Sequence, residues 1–266
     1  MCKEKYEGVG GVSRYRIDDV APLLLKGIFV ATTFLSMMMV FWILVLPSSW
    51  LVGFSETHDN FIRYILPEDE TQVSPRVILK YGGHPLIKAS HLLPGAVWSG
   101  SIPFQLHPGF RKINRSLHRK IGYIFLGTSI LMSFGIYLIV SRDLTFENDY
   151  PKASQQTKFE KISLKLIFPL MTSWFVFTAI MAIAKARSKD FVSHKKYIYR
   201  HIASGLWVAI QRLIVIFSGP QKDSQHMRQL FGRSGEIGYL ITFGFAELSI
   251  FLENRYNQQK TTVKVD

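Results

Sequence analysis

The chain holds one cysteine in 266 residues, Cys2, next to the N-terminus. A lone thiol builds no disulfide framework, no cysteine-ligated zinc site and no iron–sulfur cluster of the ordinary kind. Other short signatures are missing as well. There is no H-E-x-x-H, no phosphate-binding glycine loop and no set of short-spaced histidine boxes. Acidic residues are scarce, 19 against 32 lysines and arginines, which leaves a net charge of +13. Low-complexity tracts and internal repeats are absent. No cleavable leader is expected either. The first twenty residues are polar, and the apolar run that follows is too long for a signal core and lacks a small-residue cleavage site. That run reads as a retained signal anchor.

What the chain has is long apolar runs. A helix crossing the hydrocarbon core needs about 20 mostly apolar residues. Six segments meet or approach this: 22–46, 85–106, 121–140, 164–184, 197–217 and 236–252. The second is interrupted by Pro94, Gly95 and Pro103, the fifth carries Arg200, His201 and Arg212, and the sixth contains Glu247. The expected fold is therefore an all-α polytopic transmembrane bundle over 22–252, with a polar tail 1–21 before it and another, 253–266, after it. Between the first two spans lies a long polar loop, in which Phe61 to Leu66 suggests a short interfacial helix.

Lysine and arginine in the flanks set the orientation. With the N-terminus in the cytoplasm, the inner segments hold 18 basic residues and the outer ones 10. Both termini are thus expected to be cytoplasmic. On a soluble protein the basic excess would suggest nucleic acid. Here it sits between apolar spans, so the expected partners are the bilayer and anionic headgroups at its inner face, with no nucleic acid. Trp50 beyond an outer end, and Tyr197 and Tyr199 near an inner one, fit interfacial aromatics. The sequon Asn114-Arg115-Ser116 falls in an inner loop and should carry no glycan.

Candidate chemistry gathers around the turn after the second span. Arg111, Lys112, Arg115, Arg119 and Lys120 follow one another closely, with His107 and His118 beside them. His84 and His91 are seven apart, as are His194 and His201, so each pair shares one helix face, about 10 Å apart along the axis. His84 precedes Pro85 as a cap would. His107, His118, His194 and His201 form an expected layer at the inner leaflet, with His91 nearer the outer side. Imidazoles facing one another across a bundle hold haem iron or a metal. His91, His118, His194 and His201 are the candidate haem b ligands, and His118 with His194 the candidate metal pair. The plainer alternative for each is an anchor among headgroups. A stacked pair of haems is not expected, since that needs ligands about 20 Å apart on one helix.

Arg212 lies eleven residues past His201, roughly 16 Å deeper, where an arginine does not easily reach water. On the sixth span Glu247, eleven residues past Glu236, reaches a similar depth, which predicts an Arg212–Glu247 ion pair. It would act as a structural clasp or a gate. Arg115 and Arg119, four apart, could grip a phosphate or serve only as a topology signal. Gly232-Arg233-Ser234-Gly235 has the pattern of intramembrane serine proteases, but a serine nucleophile needs a histidine base and no histidine follows position 226.

Taken together, His91-Leu-Leu-x-Gly, Gln105, Arg111, Leu117-His118-Arg119-x-x-Gly122-Tyr123, His194-Lys-Lys-x-x-x-Arg200 and Arg212 resemble the domain-of-unknown-function 2306 family. These are multi-pass membrane proteins of bacteria and fungi, and the resemblance covers residues 20–217. It implies a polytopic membrane protein in which His91, His118, His194, Arg111, Arg119, Arg200 and Arg212 match the family pattern, and it implies no activity. Pro94 and Lys88 make the second span more broken than that pattern. A looser likeness, in architecture alone, is to four-helix membrane cytochromes. Two functions follow as expectations: a haem- or metal-dependent redox protein, or a non-enzymatic transporter, lipid-interacting or scaffold protein built around the Arg212–Glu247 layer.

Overall fold

The computed structural model describes residues 17–44, 51–65, 79–107, 109–145, 158–219 and 224–262. Trp50 and the terminal segments 1–16 and 263–266 lie outside them. Among the described residues every regular element is helical. In chain order these are α1 (Ile17–Leu44), α2 (Glu56–Ile65), α3 (Pro85–Ile87), a π turn (Lys88–Leu92), α4 (Leu93–Leu106), α5 (Phe110–Ile113), α6 (Arg115–Ser141), α7 (Lys158–Arg187), α8 (Phe191–Phe217) and α9 (Ser224–Thr262).

Among the described residues, five stretches are long and apolar enough to cross a membrane: Val20–Leu44, Arg115–Ser141, Phe168–Arg187, Phe191–Phe217 and Gln229–Gln258. The molecule is a multi-pass membrane protein. Its outward-facing side chains agree, with Leu23, Phe34, Ile130 and Leu240 all exposed on the helix surfaces, Leu240 at 73%. Such a continuous apolar exterior suits lipid rather than water.

The region expected as the second span is helical from Pro85 to Leu106 but is not one of the five, because a π turn divides it. Pro94 is the physical reason. It has no N–H to continue the α ladder and its ring crowds the preceding turn. The chain takes up an extra residue there, and Leu93 N–H reaches back to Lys88 O. Pro94 thereby sits in the first turn of α4, where a missing N–H costs little.

The helices close a ring. α9 packs on α8, α8 on α7, α7 on α6, α6 on α4, α4 on α1, and α1 returns to α9. Close approaches are made through glycines, since apolar side chains gain no hydrophobic drive against lipid and contact must come from packing. A Cβ on Gly135 would lie 2.5 Å from His91 Cβ, one on Gly205 2.6 Å from the Trp98 ring, and one on Gly238 2.6 Å from Trp207 O. The main core runs through the ring's centre, where Trp98, Ile102, Phe125, Phe175 and Leu206 interlock.

Helix ends are set locally. Asn114 caps α6 by accepting Leu117 N–H at 2.8 Å, so the sequon asparagine serves as a helix start. Asp190 caps α8 by accepting Ser193 N–H at 3.1 Å. The stretch around Phe61, where a short helix was expected, is helical as α2, with Leu66 outside the described residues, and Asp59 in it accepts Gly53 N–H at 2.9 Å.

Candidate functional site

His201 is fully buried. Four helices meet on its ring. Trp98 of α4 donates its indole N–H to Nε2 at 3.2 Å, and Ser129 Oγ of α6 lies 2.8 Å from the same nitrogen. On the other side, Nδ1 faces Phe175 O and Thr178 Oγ1 of α7, each at 3.1 Å. The tautomer follows from partners that act in one direction only. An indole N–H can only donate, so Nε2 accepts; a carbonyl can only accept, so Nδ1 carries the proton. The Phe175 ring stacks on the imidazole at 4.3 Å between centroids, and the Phe125 ring meets it edge-on at 5.3 Å.

This corrects the expectation for His201. Both nitrogens are taken by protein groups, so it presents no lone pair to haem iron. The expected layer of four histidines is likewise not assembled. His107 Nδ1 accepts Gly109 N–H at 3.2 Å and Phe110 N–H at 3.0 Å, tying down its own turn. His84 gives no cap hydrogen bond; its Nδ1 is instead 3.0 Å from Arg142 Nη1.

His118 and His194 do approach one another, within electrostatic reach, and Arg111 is close to both. His194 Nδ1 donates to Ala182 O at 2.8 Å, leaving Nε2 as an acceptor, while His118 Nδ1 is buried with no hydrogen bond among the described residues. No group of three or more histidine, cysteine, aspartate or glutamate side chains able to hold a metal occurs among the described residues. Arg111 and Arg119 are exposed.

The Arg212–Glu247 pair is also corrected. Glu247 forms a two-pronged pair with Arg200, Nε to Oε1 at 2.6 Å and Nη2 to Oε2 at 2.9 Å. The cause is register. α9 begins at Ser224, well before Glu236, and runs antiparallel to α8. Thr242 therefore reaches Ala203 O at 3.0 Å, and Gln211 reaches Phe231 O at 2.9 Å. Glu247 falls beside Arg200, whereas Arg212 lies about 18 Å further along α8. The Arg212 guanidinium sits instead between two rings, 5.8 Å from Trp42 and 5.6 Å from Phe231.

Arg212 and His91 share a cavity. It measures about 240 Å³ and lies between the C-terminal halves of α1, α6 and α8, the start of α4 and the middle of α7. Trp42, Trp98 and Trp207 line it, together with Ser99, Ser204 and Gln211. His91, on the π turn, is held with Nδ1 3.4 Å from Met132 O. The His201 junction forms the support beneath this cavity, since Trp98 and Phe175 belong to both. A second cavity, about 510 Å³, lies toward the other end, between α1, α8 and α9. Leu206 borders both.

Sequence reasoning missed Trp98, Ser129 and Thr178 as partners of His201. Small hydroxyl residues in the middle of apolar spans are the signal that could have drawn attention to them. No family model matches the chain, and neither a curated protein nor a solved structure matches it.

Proposed function

We propose that the protein is a non-enzymatic, lipid-interacting membrane protein that binds an amphipathic small molecule in the cavity shared by His91 and Arg212. The observation that carries this reading is the make-up of that cavity. Its walls are mostly apolar and aromatic, with a few hydrogen-bonding side chains, the usual constitution of a site that buries a hydrocarbon body and orients a polar head. Polar side chains inside a membrane bundle are costly and tend to mark a ligand or substrate path. The resemblance to the domain-of-unknown-function 2306 family accords with this, since His91 and Arg212 are among the positions that carry it.

The test is mass spectrometry of organic extracts from the full chain purified in mild detergent. The cavity reading expects one class of amphiphile in the extract in stoichiometric amount, and its loss in Gly95→Leu. A Cβ at Gly95 makes only ordinary contact with the Ile43 tip, so the longer side chain fills space rather than breaking the backbone. Extracts of wild type and variant with identical content would defeat the reading.

One observation favours the redox alternative, the approach of His118 to His194. Bis-histidine haem ligation needs two free imidazoles facing across a gap, and His118, with Nδ1 unpartnered among the described residues, and His194, with Nε2 left as an acceptor, are the pair that remains for it. His201 is engaged at both nitrogens, and the cationic Arg111 beside His118 and His194 opposes a metal cation. The visible spectrum of oxidised and dithionite-reduced protein, made with full haem supply, is expected to be featureless. A Soret band that is lost in His118→Ala or His194→Ala would reverse this choice.

A further inference from the structure

We infer that the second cavity is a binding site for an anionic glycerophospholipid, with the phosphate at Lys26 and the acyl chains between α1 and α9. Helix α1 carries a cation where an apolar helix should have none. Lys26 stands within the membrane-crossing stretch of α1 and lines the cavity. It has no hydrogen-bond or ion-pair partner among the described residues. A lysine at such a depth is kept where its ammonium can reach a headgroup or an anion.

The neighbouring charges leave that cation uncompensated. The carboxylate at the cavity wall, Glu253, is already taken, accepting from Lys195 Nζ and from Tyr199 OH at 2.7 Å. His107 adds a donor. Its Nδ1 accepts two backbone N–H groups, so the neutral ring must carry its proton on Nε2. Among the described residues the cavity mouth thus offers a free ammonium and an imidazole N–H, with the Glu253 carboxylate neutralised. That suits a phosphate and disfavours a cationic ligand. Deeper in, Leu35, Ile202, Phe245 and Ala246 provide an apolar channel between helices. A free phosphate has no use for that channel, whereas a diacyl lipid fills it. Leu206 borders both this site and the cavity of His91 and Arg212, but Lys26 and Thr32, the residues its tests change, line this site and not that one.

Native mass spectrometry of the full chain, released from nanodiscs of phosphatidylcholine mixed with phosphatidylglycerol, tests the assignment. Phosphatidylglycerol should be retained in preference to phosphatidylcholine. Lys26→Gln should lower that preference about fivefold, the worth of one lysine near an anionic surface. Arg187→Gln, an exposed basic change outside the cavity, should leave it unaltered. Thr32→Leu, which fills the apolar part, should reduce retention of both lipids. Equal retention of the two lipids by wild type would overturn the inference, as would Lys26→Gln behaving like Arg187→Gln. Thermal stabilisation by inorganic phosphate as large as that by phosphatidylglycerol would overturn the lipid in favour of a small anion.

Discussion

Ser129 Oγ lies 2.8 Å from His201 Nε2, a contact between two transmembrane helices 72 residues apart in sequence. With Trp98 on the same nitrogen and the Phe175 carbonyl on the other, the imidazole joins α4, α6, α7 and α8 at one point. Replacing it with an apolar residue of similar size leaves the Trp98 N–H buried without an acceptor. His201→Leu is expected to destabilise the bundle by about 2 kcal/mol, a value between the cost of an orphaned buried donor and the smaller average found in membrane bundles. Reversible unfolding in mixed detergent micelles measures it. His201→Gln, whose amide oxygen can accept from the indole, should lose less. A His201→Leu protein as stable as wild type would show the junction to be incidental.

Gly135 is the second structural test. A Cβ there would lie 2.5 Å from His91 Cβ and 2.9 Å from the His91 backbone, so the clash cannot be relieved by a side-chain rotation. Gly135→Ala must push α6 away from the π turn, at a cost of about 1–3 kcal/mol by analogy with overpacked cores. Gly127→Ala, on the same helix and facing open space, should be neutral or slightly stabilising. Equal thermal stability of the two variants would contradict the packing described here.

The Arg200–Glu247 pair makes a claim about register. Its side chains are 30% and 50% exposed, so its contribution must be discounted for screening, and a coupling of about 0.5–1 kcal/mol is expected. A double-mutant cycle with Arg200→Gln and Glu247→Gln should return that coupling. The cycle pairing Arg212→Gln with Glu247→Gln should return none, because the two residues are separated along α8 and α9. The reverse result would restore the Arg212–Glu247 clasp.

Much of the fold was legible because a membrane helix needs little more than an uninterrupted apolar run. Those runs gave α1, α6, α7 and α8 with ends shifted by a few residues. The broken second span was legible too, since Pro94 and Lys88 mark the π turn. The ion pair was misjudged for a definable reason: the depth of Glu247 was counted from Glu236, whereas α9 starts at Ser224 and shifts the whole register against α8. The role of His201 was hidden because its partners are far away in sequence. Nothing near position 201 announces Trp98, and a histidine saturated by protein groups looks in sequence like one free to bind iron. The cavities arise from how six helices meet, and no local pattern encodes them.

Asp190 lies between α7 and α8, outside the membrane-crossing stretches, and provides a pH test. The Ser193 N–H, then the Ser193 side chain and nearby Lys185 hold its carboxyl below the usual aspartate range. A carboxyl depressed in the folded state stabilises the fold above its unfolded value of 3.8, and that contribution fades as pH falls through the lower folded value. Asp190→Ala should therefore lower the melting temperature at neutral pH, with the difference from wild type shrinking as pH falls below 3.8 and through the lower folded value. Asp190→Asn, which keeps the cap, should recover most of the loss. A difference that vanishes already at about pH 5–6 would contradict this, since that range lies above the unfolded value and the folded value is lower still.

Tryptophan fluorescence reports whether the cavity beside His91 and Arg212 takes up an amphiphile. Three of the five tryptophans, Trp42, Trp98 and Trp207, line that cavity. Titration of the purified full chain with an amphiphile brominated in its chain should quench their emission saturably. The quenching should be lost in Gly95→Leu and weakened in His91→Leu, provided both variants keep the wild-type melting temperature. Quenching that rises without saturation and is the same in wild type and both variants would contradict the account.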